Sequence, residues 1–237
     1  MPKVHFQNLG KIRYKEAWDY QTELFQSLID NKIANRNLAE EEKNVPDHHL
    51  LFCEHPPVFT LGKSGKKEHL LMSEEFLAEN GIEFYPNNRG GDITFHGPEQ
   101  IVGYPILDLD YFFTDIHKYM RFLEEVIIRT LSEYGLEAGR LKGATGVWFD
   151  ADDITKARKI CAMGVKCSRW VTMHGFAFNI NTDLKYFEYI VPCGIDDKEV
   201  TSLEKELGRK VELNEVQEKL KRHFSELFEA EIVEPTS

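Results

Sequence analysis

The chain has 237 residues, 42% hydrophobic and 29% charged, enough for one large domain with a substantial core and unlike a disordered chain. A net charge of −11 argues against nucleic acid as a partner, and no apolar run approaches the roughly 18 residues of a membrane span. The four cysteines show neither disulfide-framework spacing nor a C-x-x-C pair, and the start MPKVHFQNLGKIRYKEA lacks a signal-peptide apolar region, so the expected compartment is the cytoplasm, with no structural zinc.

VHFQNLG reads as a first strand. An amphipathic helix is expected from Tyr14 to Arg36, its apolar stripe holding Trp18, Leu24, Phe25, Leu28, Ile29 and Ile33. After the acidic loop AEEEKNVPD come two short strands, HHLLFCEH and VFTLG, split by Pro56-Pro57. The polar GKSGKKEHLLMS follows as a loop, and Ser73 is placed to cap a short helix from Glu74 to Ala78. IEFYP, the glycine-rich RGGDITFHGP and IVGYPILDL supply three further strands.

The second long helix is expected from Thr114 to Tyr134, with Phe122, Leu123, Val126, Ile127 and Leu131 on its apolar face. GVWFD, KICAMGVKC and WVTMHGFAFNI are strands. KICAMGVKC is apolar on both sides and is expected at the centre of a sheet. The last amphipathic helix spans Leu213 to Phe228. The region 205–230 could stand as a small helical lobe, and 231–237 is expected to be a flexible tail. Strands and helices intermix without strict βαβ order. The fold expected is α/β (α+β): a single domain over 1–237 with a mixed, largely antiparallel central sheet flanked by helices.

Cys193, in VPCGI, sits between a proline turn and a glycine that lets a substrate approach the backbone. A thiol there suits nucleophilic acyl transfer, although a lone cysteine also fits as a small buried hydrophobe. Lys159 opens KICAMG, so its amine can project from a sheet end, favour a nearby thiolate and shuttle a proton; a solvent-facing lysine is the plainer reading. Arg89, Gly90 and Gly91 form a turn whose backbone can approach a ligand. His96-Gly97 and His174-Gly175 repeat one pattern on two strands, which favours a shared pocket. The stretch from Arg140 to Arg169 is the most basic part of the chain and the candidate surface for an acidic partner.

The segments RGGDITFHGPEQIVGYPILDL, GVW, KICAMGV, SRWVTMHGFAFNI, DLKYFEYIVPCGI and VTSL, in order from Arg89 to Leu203, closely resemble those of the lipoyl (octanoyl) transferases, within the biotin and lipoate protein ligase fold group. By that resemblance Cys193 matches the acyl-thioester cysteine and Lys159 its acid–base partner. Three segments match the acyl-binding pocket: Arg89, Gly90, Gly91, Asp92, Ile93, Thr94, Phe95 and His96; Ala162, Met163 and Gly164; and Gly175, Phe176 and Ala177, with His174 beside them. The chain departs from the family at Glu99, where glycine is usual, so a positive φ there would strain it.

The resemblance implies transfer of an octanoyl or lipoyl group from acyl carrier protein to one lysine of a lipoyl domain, in 2-oxoacid dehydrogenases or the glycine cleavage H protein. It implies no cofactor and no metal, and a monomer is the default. The competing readings are an ATP-dependent lipoate or biotin protein ligase, a Cys-Lys thioesterase and a non-catalytic carrier-protein binder.

Overall fold

The computed structural model describes residues 1–191 and 199–235. Among them, two β-sheets and five α-helices form the architecture. The larger sheet runs β10 (Glu199–Val200), β8 (Arg158–Ser168), β9 (Val171–Asn179), β6 (Gln100–Ile106), β2 (His48–Glu54), β1 (Lys3–Lys11) and β11 (Glu231–Val233), with β7 (Val147–Phe149) also pairing β8. Its middle, β8-β9-β6-β2, is antiparallel, whereas β1 pairs parallel with both β2 and β11. The smaller sheet holds β3 (Val58–Leu61) between β4 (Glu83–Pro86) and β5 (Ile93–His96).

Strand alternation decides what covers each face. In β2, Leu50 and Phe52 face one core, Leu51 and Cys53 the other. The first core is closed by α3 (Ile116–Ser132) and α5 (Leu213–Phe228), through Leu123, Val126, Ile127 and Leu131 on one helix and Val216, Leu220, Phe224 and Phe228 on the other. The second is closed by α1 (Tyr14–Ala34), through Ala17, Phe25, Leu28 and Ile29. Two short helices complete the set: α2 (Glu74–Glu79), capped by Ser73 as expected, and α4 (Leu203–Leu207).

Four expectations need correction. In α1 the buried stripe is Tyr14, Ala17, Gln21, Phe25, Leu28 and Ile29; Trp18 and Leu24 flank it and Ile33 is exposed. Strand β8 is second from the sheet end and mostly half-buried, because one stretch of it faces a cavity; β9, all nine residues buried, lies deeper in the sheet. The C-terminal helix is no appended lobe, since α5 packs on α3 in the main core. The tail is not free from residue 231, because Glu231–Val233 pair with Lys3–His5.

Candidate functional site

A cavity of about 530 Å³ opens between the two sheets. The smaller sheet contributes Ile93, Thr94 and His96, and the glycine-rich turn before it contributes Arg89, Gly90, Gly91 and Asp92. The larger sheet contributes Lys159, Ala162, Met163, Gly164 and Val165 from β8, His174, Gly175, Phe176 and Ala177 from β9, and Gln100, Val102 and Tyr104 from β6. Every pocket residue singled out in the sequence therefore meets at one place, except Phe95. Alternation in β5 turns Thr94 and His96 to the cavity and Phe95 to the other face, where its ring stacks on Tyr186 at 4.5 Å.

Close backbone approach explains two glycines. A Cβ on Gly164 would sit 2.6 Å from Gly90 O, and one on Gly175 would sit 2.1 Å from Gly103 O. The two glycines face each other across the β8–β9 register. Without side chains there, the glycine-rich turn and β6 come close enough to form walls.

Polar groups on the walls are tied into one network. Arg89 Nη2 donates to Thr60 Oγ1 at 3.0 Å, and Thr60 Oγ1 lies 3.3 Å from His96 Nε2. His96 Nδ1 meets Gln100 Oε1 at 3.0 Å; Gln100 Nε2 donates to Asn179 Oδ1 at 2.9 Å, and Asn179 Nδ2 to Thr201 O at 3.0 Å. The amide oxygen must accept, so this network assigns the His96 proton to Nδ1. Burial holds the His96 pKa well below the ordinary histidine range. Burial, then the Arg89 charge, lowers that of His174 to about 3. Both rings are neutral at pH 7, and His174 Nε2 bonds Asn88 Oδ1 at 2.8 Å.

Lys159 lies on the wall with its Nζ 4.5 Å from the centroid of the Trp148 ring. Its carbonyl accepts Thr201 N–H at 2.9 Å, and Val200 pairs with it in parallel register. Cys193 lies outside the described residues. Of the described residues nearest it in sequence, Val191 donates its N–H to His69 O at 2.8 Å, and Val200 lines the cavity. The remaining cysteines, Cys53, Cys161 and Cys167, are free; burial pushes the Cys161 thiol well above its usual range despite the nearby Lys159 charge.

The wall also contains residues that sequence reading did not single out for it. Tyr14 comes from α1, Met120 from α3, and Ala144 and Thr145 from the loop before β7. Gln100 and Asn179 carried a usable signal, since a lone amide in an apolar strand requires buried partners. The basic stretch is less available than its composition implies. Arg140 binds Glu124 and Glu125, Arg158 binds Glu206 and Asp150, and Lys156 binds Asp153. Among the described residues no group of three or more His, Cys, Asp or Glu side chains could hold a metal ion, and no helix is long and apolar enough to cross a membrane.

Residues 13–225 match the family described as the lipoyl protein ligase A/B catalytic domain. The octanoyltransferase of Cytophaga hutchinsonii is 59% identical over 233 residues, 98% of this chain and 96% of its own. That of Flavobacterium johnsoniae is 60% identical over 233 residues, 98% of this chain and 99% of its own. Among solved structures, a bipartite lipoate protein ligase from Thermoplasma acidophilum superposes with a TM-score of 0.69 at 18% identity, covering 100% of this chain and 88% of that one. Lipoate-protein ligase A bound with ATP gives 0.68 at 18% identity, covering 100% and 90%. At such identities the structural likeness is one of fold.

Proposed function

The chain belongs to the lipoyl protein ligase A/B catalytic domain family and is an acyltransferase, and we propose that it carries an octanoyl group from acyl carrier protein to a lysine of a lipoyl domain through a thioester on Cys193. The observation that supports this most is the anchoring of the chain around Cys193. Val191, before it, is bonded to His69, whose side chain meets the cavity residue Asp92, and Val200, after it, pairs with Lys159 on the cavity wall.

In this mechanism the Cys193 thiolate attacks the donor thioester carbonyl. The carbon–sulfur bond to the carrier breaks, and the Lys159 ammonium protonates the departing thiol. One thioester replaces another, so the step is nearly isoenergetic. Neutral Lys159 then takes a proton from the acceptor amine as that amine attacks the acyl-cysteine. An amide forms and the Cys193 thiolate leaves. The base matters because a free lysine, near pKa 10.4, is neutral in only about one molecule in a few thousand at pH 7.

The octanoyl chain lies in the cavity along Val102, Met163 and Phe176, where each buried methylene contributes about 0.8 kcal/mol. Beside the charged Arg89, Asp92 and Lys159, the wall offers an aliphatic guest an apolar stretch, and its imidazoles, His96 and His174, are neutral at pH 7. The acceptors are lipoyl domains of 2-oxoacid dehydrogenases and the glycine cleavage H protein. The whole chain acts as one catalytic unit, a cytoplasmic monomer without a cofactor.

The test is intact-protein mass spectrometry after mixing with octanoyl-carrier protein, without acceptor and without ATP. An octanoyl adduct mapped to Cys193 is expected, and Cys193→Ala is expected to abolish it. Acyl transfer that needs ATP and magnesium identifies a ligase instead. Free octanoate in excess over acylated lipoyl domain identifies a thioesterase.

A further inference from the structure

Resting on the Cys193 reading, we propose that His69 is a positioning residue: paired with Asp92, it ties the chain that leads into Cys193 to the wall of the acyl cavity. His69 ends a single 3-10 turn, Lys67–His69, within the polar loop between β3 and α2. Its backbone and its side chain engage two different elements.

The backbone side is a short antiparallel staple. His69 O accepts Val191 N–H at 2.8 Å, Leu70 bridges Ile190, and Leu71 N–H donates to Tyr189 O at 2.9 Å. Three successive residues thus hold 189–191, the last described residues before Pro192-Cys193 in the sequence.

The side-chain side is an imidazole–carboxylate pair. His69 Nδ1 lies 2.6 Å from Asp92 Oδ2, and the other oxygen of Asp92 accepts Ile93 N–H at 2.7 Å. An ionised carboxylate only accepts, so Nδ1 carries the hydrogen. The two side chains are 20% and 11% exposed, so the bond is screened far less than a surface pair. Asp92 lines the cavity and closes the glycine-rich turn that forms its wall. Backbone bonds from Gly62, Lys63 and Ser64 hold the start of the same loop to this turn, and the Asp92 carboxylate adds the tie at the loop's His69.

Among the described residues His69 does not line the cavity, whereas its partner Asp92 does. Its effect passes through Asp92 and the Val191 backbone. Positioning of a nucleophile is sensitive: a misplacement of about 1 Å costs up to roughly 100-fold in rate.

The experiment measures single-turnover acylation of Cys193 by octanoyl-carrier protein in the full chain, together with the dissociation constant for octanoic acid and the melting temperature. His69→Ala is expected to slow acylation roughly ten- to a hundredfold at saturating donor, with octanoic acid affinity within about twofold. His69→Asn places an amide N–H where Nδ1 stood and is expected to restore the rate to within about threefold. Asp92→Asn, which removes the charge but keeps the shape, is expected to fall between, and it carries the test if His69→Ala does not fold. Wild-type acylation in His69→Ala overturns the proposal, as does wild-type acylation in Asp92→Asn if only that variant folds. Equal loss in the alanine and asparagine variants overturns it in favour of imidazole chemistry. An equal loss of octanoic acid affinity overturns it in favour of a collapsed wall. Wild-type protein that takes no acyl group on Cys193 overturns both this proposal and the reading beneath it.

Discussion

Gly164→Ala tests whether the cavity wall depends on close backbone approach. The added Cβ would lie 2.6 Å from Gly90 O and 3.2 Å from the Arg89 side chain. Ordinary carbon–oxygen contact requires the carbonyl to retreat by roughly 0.8 Å. Gly90 cannot retreat freely, because its N–H donates to Val165 O at 2.9 Å and its carbonyl accepts Arg89 Nη1 at 3.0 Å. Such a retreat would stretch the first bond beyond hydrogen-bonding range. The loss is about 1 kcal/mol for the bond and about 1–3 kcal/mol for overpacking, so about 2–4 kcal/mol together. For a domain of this size that lowers the melting temperature by roughly 5–15 °C. A wall moved this far should also slow octanoyl transfer by roughly ten- to a hundredfold. Differential scanning calorimetry and a transfer assay with a lipoyl-domain acceptor read the two effects. A variant that melts and turns over like wild type refutes the close-packed wall.

Glu124 is fully buried and binds Arg121, Arg140 and the Gly146 N–H. Glu124→Ala leaves the buried Gly146 N–H without its acceptor, while the partly exposed Arg121 and Arg140 keep water and Glu125. It should therefore remove about 1–3 kcal/mol in urea titration; a change below about 0.5 kcal/mol would count against a structural role. Burial pushes the Cys53 and Cys161 thiols upward, so iodoacetamide at pH 8 should leave both unmodified in the native protein, and peptide mapping that finds either one labelled contradicts this. Burial lowers His48 and His55 to about 4 and His174 to about 3. The unfolded chain binds protons near 6.5 that the native state refuses, so stability is full above that pH and is lost as pH falls toward 4. Each ring should remove about 2 kcal/mol between pH 7 and pH 5, and equal urea midpoints at the two pH values would exclude this.

Elements with a strong local period were readable from the residues. Helix α5 begins and ends where its apolar stripe does, and α3 lies within the span its stripe marks. What was not readable depends on partners distant in sequence. Strand β8 looks central because both faces are apolar, yet the reason is a cavity on one side. Residues 231–233 look like a tail because nothing near them in sequence reveals pairing with β1. The site shows the same division. The glycine turns and His-Gly steps announce a pocket, and the family resemblance names its segments. Tyr14 and Met120 reach it only because α1 and α3 pack where they do, and His69 meets Asp92 across 23 residues.

Glu99 shows how a departure from the family is absorbed. Its φ is 63°, in the region where glycine is at ease. Its N–H donates to Glu54 Oε2 at 2.7 Å, its carbonyl accepts from Thr182 Oγ1 at 3.0 Å, and its carboxylate accepts Asn181 Nδ2 at 2.6 Å. Charge-assisted bonds of this kind offset a backbone cost of about 1–2 kcal/mol.

The two anchors around residues 192–198 stand on opposite banks. Ile190 packs in the cluster under the smaller sheet, with Phe59 and Phe95, whereas Val200 is stitched to the larger sheet beside Lys159. A guest entering between the sheets bears on both anchors at once, Ile190 on one side and Val200 on the other. The spacing of the sheets therefore limits how thick a guest the cavity takes, because a wider one must move the two anchors apart.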